Sequence, residues 1–325
     1  MTCPKRKEKP IMKRILALVL GLCLLLSLSA LAEKTFLTMG TGGTTGTYYS
    51  LGGDIAALWS ANIPDLDVTP MSTGASKANI IMINQGEAEV AFSQNDVMYY
   101  AYTGDKDVFA GEVVDSFVAL GSLYPEAVQI VVGADSDIKN VADLKGKNIS
   151  IGGVGSGTAV NAIQVLGGAG LTLDDVNEQY LNFDESSSAF QNKQVDAFFI
   201  TSGIPNASII EVANKRPVRL LVLDEVQMKA LQEKYPFYVP VTVPKGTYAG
   251  MEEDLVIPST NAVLIVAKTL PDELVYRMTK VLFEKTADLS HAKKAVINAA
   301  YAVTGVPVPF HPGAERYYKE LGLIK

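Results

Sequence analysis

Cysteine is almost missing from this 325-residue sequence, and the two present, Cys3 and Cys23, both fall in its first 32 residues. The rest of the chain therefore holds no disulfide, no thiolate metal site and no cysteine nucleophile, and its stability must come from packing. Histidine is nearly as scarce. His291 and His311 are the only two; neither has a second ligand at metal spacing, so no zinc or iron site is expected. Beyond residue 32 arginine is limited to Arg216, Arg219, Arg277 and Arg316. After residue 32 there is also no apolar run of the roughly 20 residues that a membrane-spanning helix needs.

What the N-terminus does contain is a signal-peptide pattern. Lys13 and Arg14 precede the apolar run Ile15 to Leu26, which is too short for a stable span, and Ala30-Leu31-Ala32 offers the small residues of a cleavage site. Residues 1–32 are expected to be removed, leaving Glu33 first; Met12 followed by Lys13-Arg14 would open such a peptide by itself. Leu22 precedes Cys23 where a lipid-bearing cysteine needs a small residue, so no lipid anchor is expected. Cleavage removes six Lys or Arg and one Glu, leaving 22 basic against 34 acidic side chains, a net charge of about −12. Nucleic acid and anionic membrane surfaces, which need a basic face, are excluded as partners.

The rest alternates strand and helix. FLTMGTGG reads as a buried strand entering a glycine loop, and TYYSLGGDIAALWSANI as a helix with Leu51, Ile55, Leu58 and Trp59 on one face. STGASKANI and AEVAFSQND continue the pattern as loop, helix and strand. DSFVALGSLY reads as one strand, and VQIVVGADS, after an apparent restart at Ala127, as another. KNISIGGVGSG then leads into a second glycine loop and helix. VDAFFIT and VRLLVLD are strands, EKYPFYVPVTVPKGTYAGMEEDLVIPS reads as irregular, and NAVLIVAKTL is a strand before the closing helices. Two glycine-loop units point to two similar α/β lobes.

The loops GTGGTTGTYY (Gly40 to Tyr49) and GGVGSGTAVNA (Gly152 to Ala162) let backbone approach a ligand, and each is followed by a helix whose free amides and positive end face the same space. Enzymatic readings fail on spacing. No Lys follows Gly46, Thr45 and Thr158 stand where a dinucleotide fingerprint needs glycine, and Val154 and Thr158 flank Ser156 where a nucleophile elbow needs glycine. Asp96 and Asp184 are the weak candidates for a general base; with no accompanying constellation, no enzyme is expected.

In GTGGTTGTYYSLGG, STGASKANI, GEAEVAFSQNDV, LKGKNISIGGVGSGTAVNA, VDAFFITSGIPN, VPVTVPKGTY and HPGA, in that order, the chain resembles the TAXI family of solute-binding proteins, the extracytoplasmic subunits of one class of TRAP transporter. The resemblance implies a two-lobed periplasmic-binding-protein-like α/β fold with a hinge near 124–128 and 260–264. One lobe would combine 33–126 with 262–325 and the other would be 127–261. It also implies a TRAP-type integral membrane partner, an extracytoplasmic monomer without cofactor, and a ligand among small organic anions or amino acids such as glutamate, glutamine, dicarboxylates and oxoacids. An ABC importer's binding protein is the alternative.

Carried over by position, the first lobe's ligand-binding candidates are Thr41, Gly42, Gly43, Thr47, Tyr48 and Tyr49, with Thr73, Ala75 and Ser76, and with Gln94 and Asp96 at a strand end. The second lobe adds Ser156, Gly157, Thr158, Ala159 and Asn161, with Phe199, Thr201 and Gly203. Thr73 and Ser76 also read as ordinary caps, Gln94 and Asp96 as a turn, and Phe199 as core. None of these segments contains arginine, so backbone amides and hydroxyls around Gly42 to Thr47 or Ser156 to Thr158 are expected to hold the ligand's negative charge. Valine at Gly43 or Gly157 should then abolish binding.

Overall fold

The computed structural model describes residues 34–325; the signal-peptide and cleavage readings, with both cysteines, lie outside the described residues. Phe36–Lys325 form one compact unit.

Its first half runs β1 (Thr35–Gly40), α1 (Thr47–Asn62), β2 (Leu66–Met71), α2 (Ser76–Gln85), β3 (Val90–Gln94), α3 (Asn95–Thr103) and the short α4 (Lys106–Phe109). The 17-residue β4 (Phe117–Gly133) leads out of it. The next half repeats the plan with β5 (Asn148–Ser150), α5 (Gly157–Gly168), β6 (Asn177–Gln179), α6 (Phe183–Gln191), β7 (Ala197–Ser202), α7 (Ala207–Lys215), β8 (Val218–Leu221), α8 (Glu225–Lys234) and β9 (Val239–Val243). β10 (Leu255–Ala267) returns to the first half, which α9 (Asp272–Glu284), α10 (Ala299–Ala302) and α11 (Pro312–Glu320) complete.

The sheet order β2-β1-β3-β10-β4-β7-β5-β6 is palindromic in plan, with β8 also pairing β4 and β9 pairing β10. β1 and β3 are parallel, as are β5 and both β6 and β7, while the central pair β4 and β10 is antiparallel. At about 3.3 Å per residue, β4 is long enough to serve both halves. It pairs with β10 from Phe117 to Ala127 and with β7 from Ala127 to Val132.

Sequence reading divided β4 in two at Pro125-Glu126. The strand continues because proline's fixed φ suits extended backbone, and because Glu126, which looks like a solvent residue, is buried and hydrogen-bonded. The segment before β10 is likewise more ordered than its prolines suggest: Val239–Val243 pairs with Leu255–Ser259, Pro240 opposite Pro258. β9 has β10 as its partner among the described strands, and an edge position tolerates proline.

Each half has apolar cores on both sheet faces. In the first half Leu51, Ile55, Leu58 and Trp59 of α1 pack with β1, β3, α9 and α11, and the Trp59 indole donates to Met278 O at 2.8 Å. Burying one such large side chain contributes about 1.5–3 kcal/mol. The buried members of this core and of the one on the opposite face lie at or before Tyr124 or at or after Ala262; those of the other half's two cores lie between Ala127 and Ile257.

Candidate functional site

The carboxyl ends of β1, β3, β5 and β7 meet across a cleft, the usual ligand position in open α/β sheets. Both glycine loops are built alike. After β1, Gly46 N–H donates to Gly43 O and α1 starts at Thr47; after β5, Ser156 N–H donates to Gly153 O and α5 starts at Gly157. Between them lies a cavity with about 80 Å³ open to the centres of water-sized spheres.

Gly42, Gly43, Thr47 and Tyr48 line it from the first loop, and Thr73, Ala75 and Ser76 from the start of α2. Gln94 comes from the end of β3, Ser156, Gly157 and Thr158 from the second loop, and Thr201 from the end of β7. Most of these polar groups also hold the loops in shape. The Thr73 hydroxyl accepts from Ala75 N–H at 3.0 Å, Ser76 Oγ from Gln94 N–H at 3.2 Å, and Thr158 Oγ1 from Thr201 N–H at 3.2 Å. Ala75 adopts φ 69°, ψ −146°, a region almost reserved for glycine and one where strain collects at binding sites.

Seven of the sequence candidates stand elsewhere. Thr41 is buried and donates to Met71 O at 2.6 Å, and Tyr49 points outward, 36% exposed. Phe199 is fully buried in the core beneath α5, where its apolar ring belongs. Ala159 supplies an amide to its own helix cap, Ser156 Oγ. Asp96 and Asn161 sit behind Gln94 as a bonded pair rather than in the cavity. Gly203 leaves room for Lys293: a Cβ there would lie 2.4 Å from Lys293 Cε. Asp184, the other general-base candidate, reaches only the Thr44 hydroxyl at 3.4 Å.

Residues missed from the sequence include Gly46, Gly74, Gly153, Asn182, Phe183 and Ser202, and above all Glu126. Glu126 is 2% exposed; Tyr48 donates to its Oε2 at 2.6 Å and Tyr124 to its Oε1 at 3.3 Å. Burial pushes its carboxyl up to about 8 against these two bonds, and Asp96 adds to the rise. Burial likewise raises the Asp96 carboxyl to about 7, so both acids sit well above the usual carboxylate range. The signal for Glu126 was a lone carboxylate inside the apolar run FVALGSLYPEAVQIVVG.

Polar contacts join the halves across the cleft. Lys77 and Ala78 N–H, on α2, donate to Gly155 O at 3.1 and 3.2 Å; Gln164 Nε2 donates to the Tyr100 hydroxyl at 2.9 Å. Lys293 Nζ, above the Tyr124 ring, donates to Ile204 O at 2.9 Å.

The start of α1 has no side-chain cap, nor has that of α2, and neither helix nor α5 carries an acidic residue in its first turn. Two further helices that start at the cavity wall do: α3, after Gln94, carries Asp96, and α6, after Asn182, carries Asp184 and Glu185. Three positive helix ends thus converge on the cavity. Among the described residues lining it none is Lys or Arg.

The NMT1-like family model matches residues 39–322. The chain belongs to the NMT1-like family. This overturns the TAXI assignment and, with it, the TRAP-type membrane partner; sequence relatives point the same way. An aliphatic sulfonates-binding protein of Escherichia coli (strain K12) is 34% identical over 87 residues, a match covering 27% of this chain and 27% of that protein. The match thus spans about a quarter of the curated relative's length. Among solved structures, the alkanesulfonate-binding protein of Xanthomonas axonopodis pv. citri bound to MOPS superposes with TM-score 0.50 at 19% identity, covering 89% of this chain and 84% of that one. PhnD1 of Prochlorococcus marinus (MIT 9301), in complex with methylphosphonate, gives TM-score 0.52 at 11% identity, covering 90% and 100%. These likenesses show the fold, a two-lobed α/β periplasmic-binding-protein-like architecture. The TAXI-like segments were misleading because glycine loops before helices and hydroxyls at strand ends belong to the shared architecture of the cleft rather than to one family.

Proposed function

We propose that this NMT1-like protein works outside the cytoplasmic membrane as a solute-binding protein that captures a small organic anion without transforming it and delivers it to an ABC-type importer. The observation that carries the reading is the convergence of α1, α2 and α5, with no acid in their first turns, on a cavity of about 80 Å³. Backbone amides and helix ends stabilise an anion there without a cationic side chain. Short aliphatic sulfonates are the first ligands to consider, in keeping with the sulfonate-binding relative.

On this reading 33–126 with 262–325 move as one lobe against 127–261, about β4 near Pro125 and β10 near Asn261, which face each other in the sheet. Thermal unfolding with short sulfonates, phosphonates and carboxylates, set against neutral isosteres, tests anion capture. A ligand at 100 times its Kd adds about 2.7 kcal/mol, so melting should rise by roughly 5 °C with anions only. Equal shifts with neutral isosteres, or none with any anion, would sink the reading.

A further inference from the structure

Gln94, 2% exposed, is anchored by a chain of bonds that leaves one of its atoms spare. Asn161 Nδ2 donates to Asp96 Oδ2 at 2.9 Å and to the Tyr238 hydroxyl at 2.8 Å. The Tyr238 hydroxyl in turn donates to Gln164 Oε1 at 2.6 Å, so towards Asn161 it can only accept. While Asp96 is ionised it can only accept as well, so both contacts set the nitrogen of Asn161 on that side. Its Oδ1 therefore faces Gln94 and takes Gln94 Nε2 at 3.0 Å. The other amide atom, Gln94 Oε1, is buried without a protein partner, on a residue that lines the cavity. With Asn161 so held, flipping the Gln94 amide would set oxygen against oxygen at Asn161. A buried acceptor left unmet is costly.

We propose that the ligand carries a hydrogen-bond donor, an ammonium or hydroxyl, against Gln94 Oε1 as well as its anionic group at the helix ends, so that the site selects amino- or hydroxy-substituted organic anions over their alkyl analogues. This rests on the anion-capture reading and narrows it. Gln94 is the selecting contact, and Asn161 is a positioning residue that acts through it. Asp96 and Tyr238 hold Asn161 in turn.

Calorimetry with three ligands of equal size tests it: 2-aminoethanesulfonate, 2-hydroxyethanesulfonate and propane-1-sulfonate. Each has about seven non-hydrogen atoms, so the three differ in their terminal group and not in size. At least one donor-bearing sulfonate should bind about tenfold or more tighter than propane-1-sulfonate. Gln94→Leu should reduce that preference to below about threefold. Asn161→Leu should do the same by weakening the donor-bearing ligand at least about threefold more than propane-1-sulfonate, a split that a merely structural defect would not produce; it also serves if Gln94→Leu fails to fold. Equal binding of all three by the unaltered protein, or a preference that survives both substitutions, would overturn the donor while leaving anion capture standing. Binding of none of the three, nor of any phosphonate or carboxylate, would remove anion capture and the donor together.

Discussion

Gly43–Gly46 and Gly153–Ser156 close the same turn at the same distance from the helix that follows, yet the two loops present different things to the cleft. In the first, Gly46 caps nothing and the first-turn amides of α1 are left without a side-chain partner. In the second, Ser156 Oγ takes the Ala159 amide, and Gly157 abuts Gln94. A Cβ at Gly157 would lie 1.8 Å from Gln94 Oε1, whereas one at Gly43 would meet nothing within 4 Å. One loop is open and electropositive; the other is closed by contact with the opposite half. A repeated local motif thus leaves its amides open in one copy and is capped and packed against the opposite half in the other.

The sharpest way to break the comparison is to add the missing side chains. Gly157→Val should lower ligand affinity by about 100-fold or more, roughly 2.7 kcal/mol, in titration calorimetry, because Gln94 is pinned by Asn161 and cannot yield. Gly43→Ala should stay within about threefold. Similar losses at both would show that the loops are equivalent after all.

The next effect lies between the loops, at Glu126. Its carboxyl sits at about 8 in the folded protein against an ordinary 4.5. A raised acid contributes stability that is complete below the unfolded value and lost as pH rises through the folded one. Melting temperature should therefore fall between about pH 5 and pH 9, with Asp96, raised to about 7, adding to the slope. Glu126→Gln should flatten the profile, leaving the share from Asp96. Anion affinity should also weaken above about pH 8 in the unaltered protein but not in Glu126→Gln, since ionisation places a negative charge in the cavity wall. Tyr48, Tyr124, Asp96 and Lys293 are the groups that bear on this titration. An identical pH profile in both proteins would refute the assignment.

Smaller still is the cap that only the second loop owns. Ser156→Ala should cost about 1 kcal/mol, roughly 2 °C in melting temperature, with no counterpart at Gly46, where there is no cap to lose. Least affected should be the arginine variants. Arg216 pairs with Asp135, Arg219 with the carbonyls of Ala134, Ser136 and Ile138, and Arg316 with Glu273; Arg277 borders a separate cavity beside α9. Alanine at any one of them should leave affinity within about threefold, less than 1 kcal/mol. A larger loss from a folded variant would move charge recognition away from the loops.

Local signals made much of this legible. The loops and strand ends are continuous segments whose glycines, hydroxyls and following helices announce themselves, and apolar spacing placed Leu51, Ile55, Leu58 and Trp59 on one buried face. What could not be read were contacts between distant segments. Glu126 gains its meaning only from Tyr48, and Lys293, which reads as a surface residue, crosses to Ile204 because Gly203 makes way for it. Asp96 and Asn161 looked like ligand contacts because Gln94 and Thr158 nearby line the cavity, but each turns its side chain to the other. The prolines at 125, 240 and 258 hid strand continuity, since proline marks a break only where its missing N–H is needed.

The position of β10 in the sheet also governs the order in which the molecule can assemble. β3 has β10 as its antiparallel neighbour, about 170 residues later in the chain, so the earliest-made half cannot complete its sheet until most of the polypeptide exists. Such long-range pairing slows folding and keeps strand edges open meanwhile. A chain wired in this way cannot close its central sheet before the residues up to Ala267 have been made.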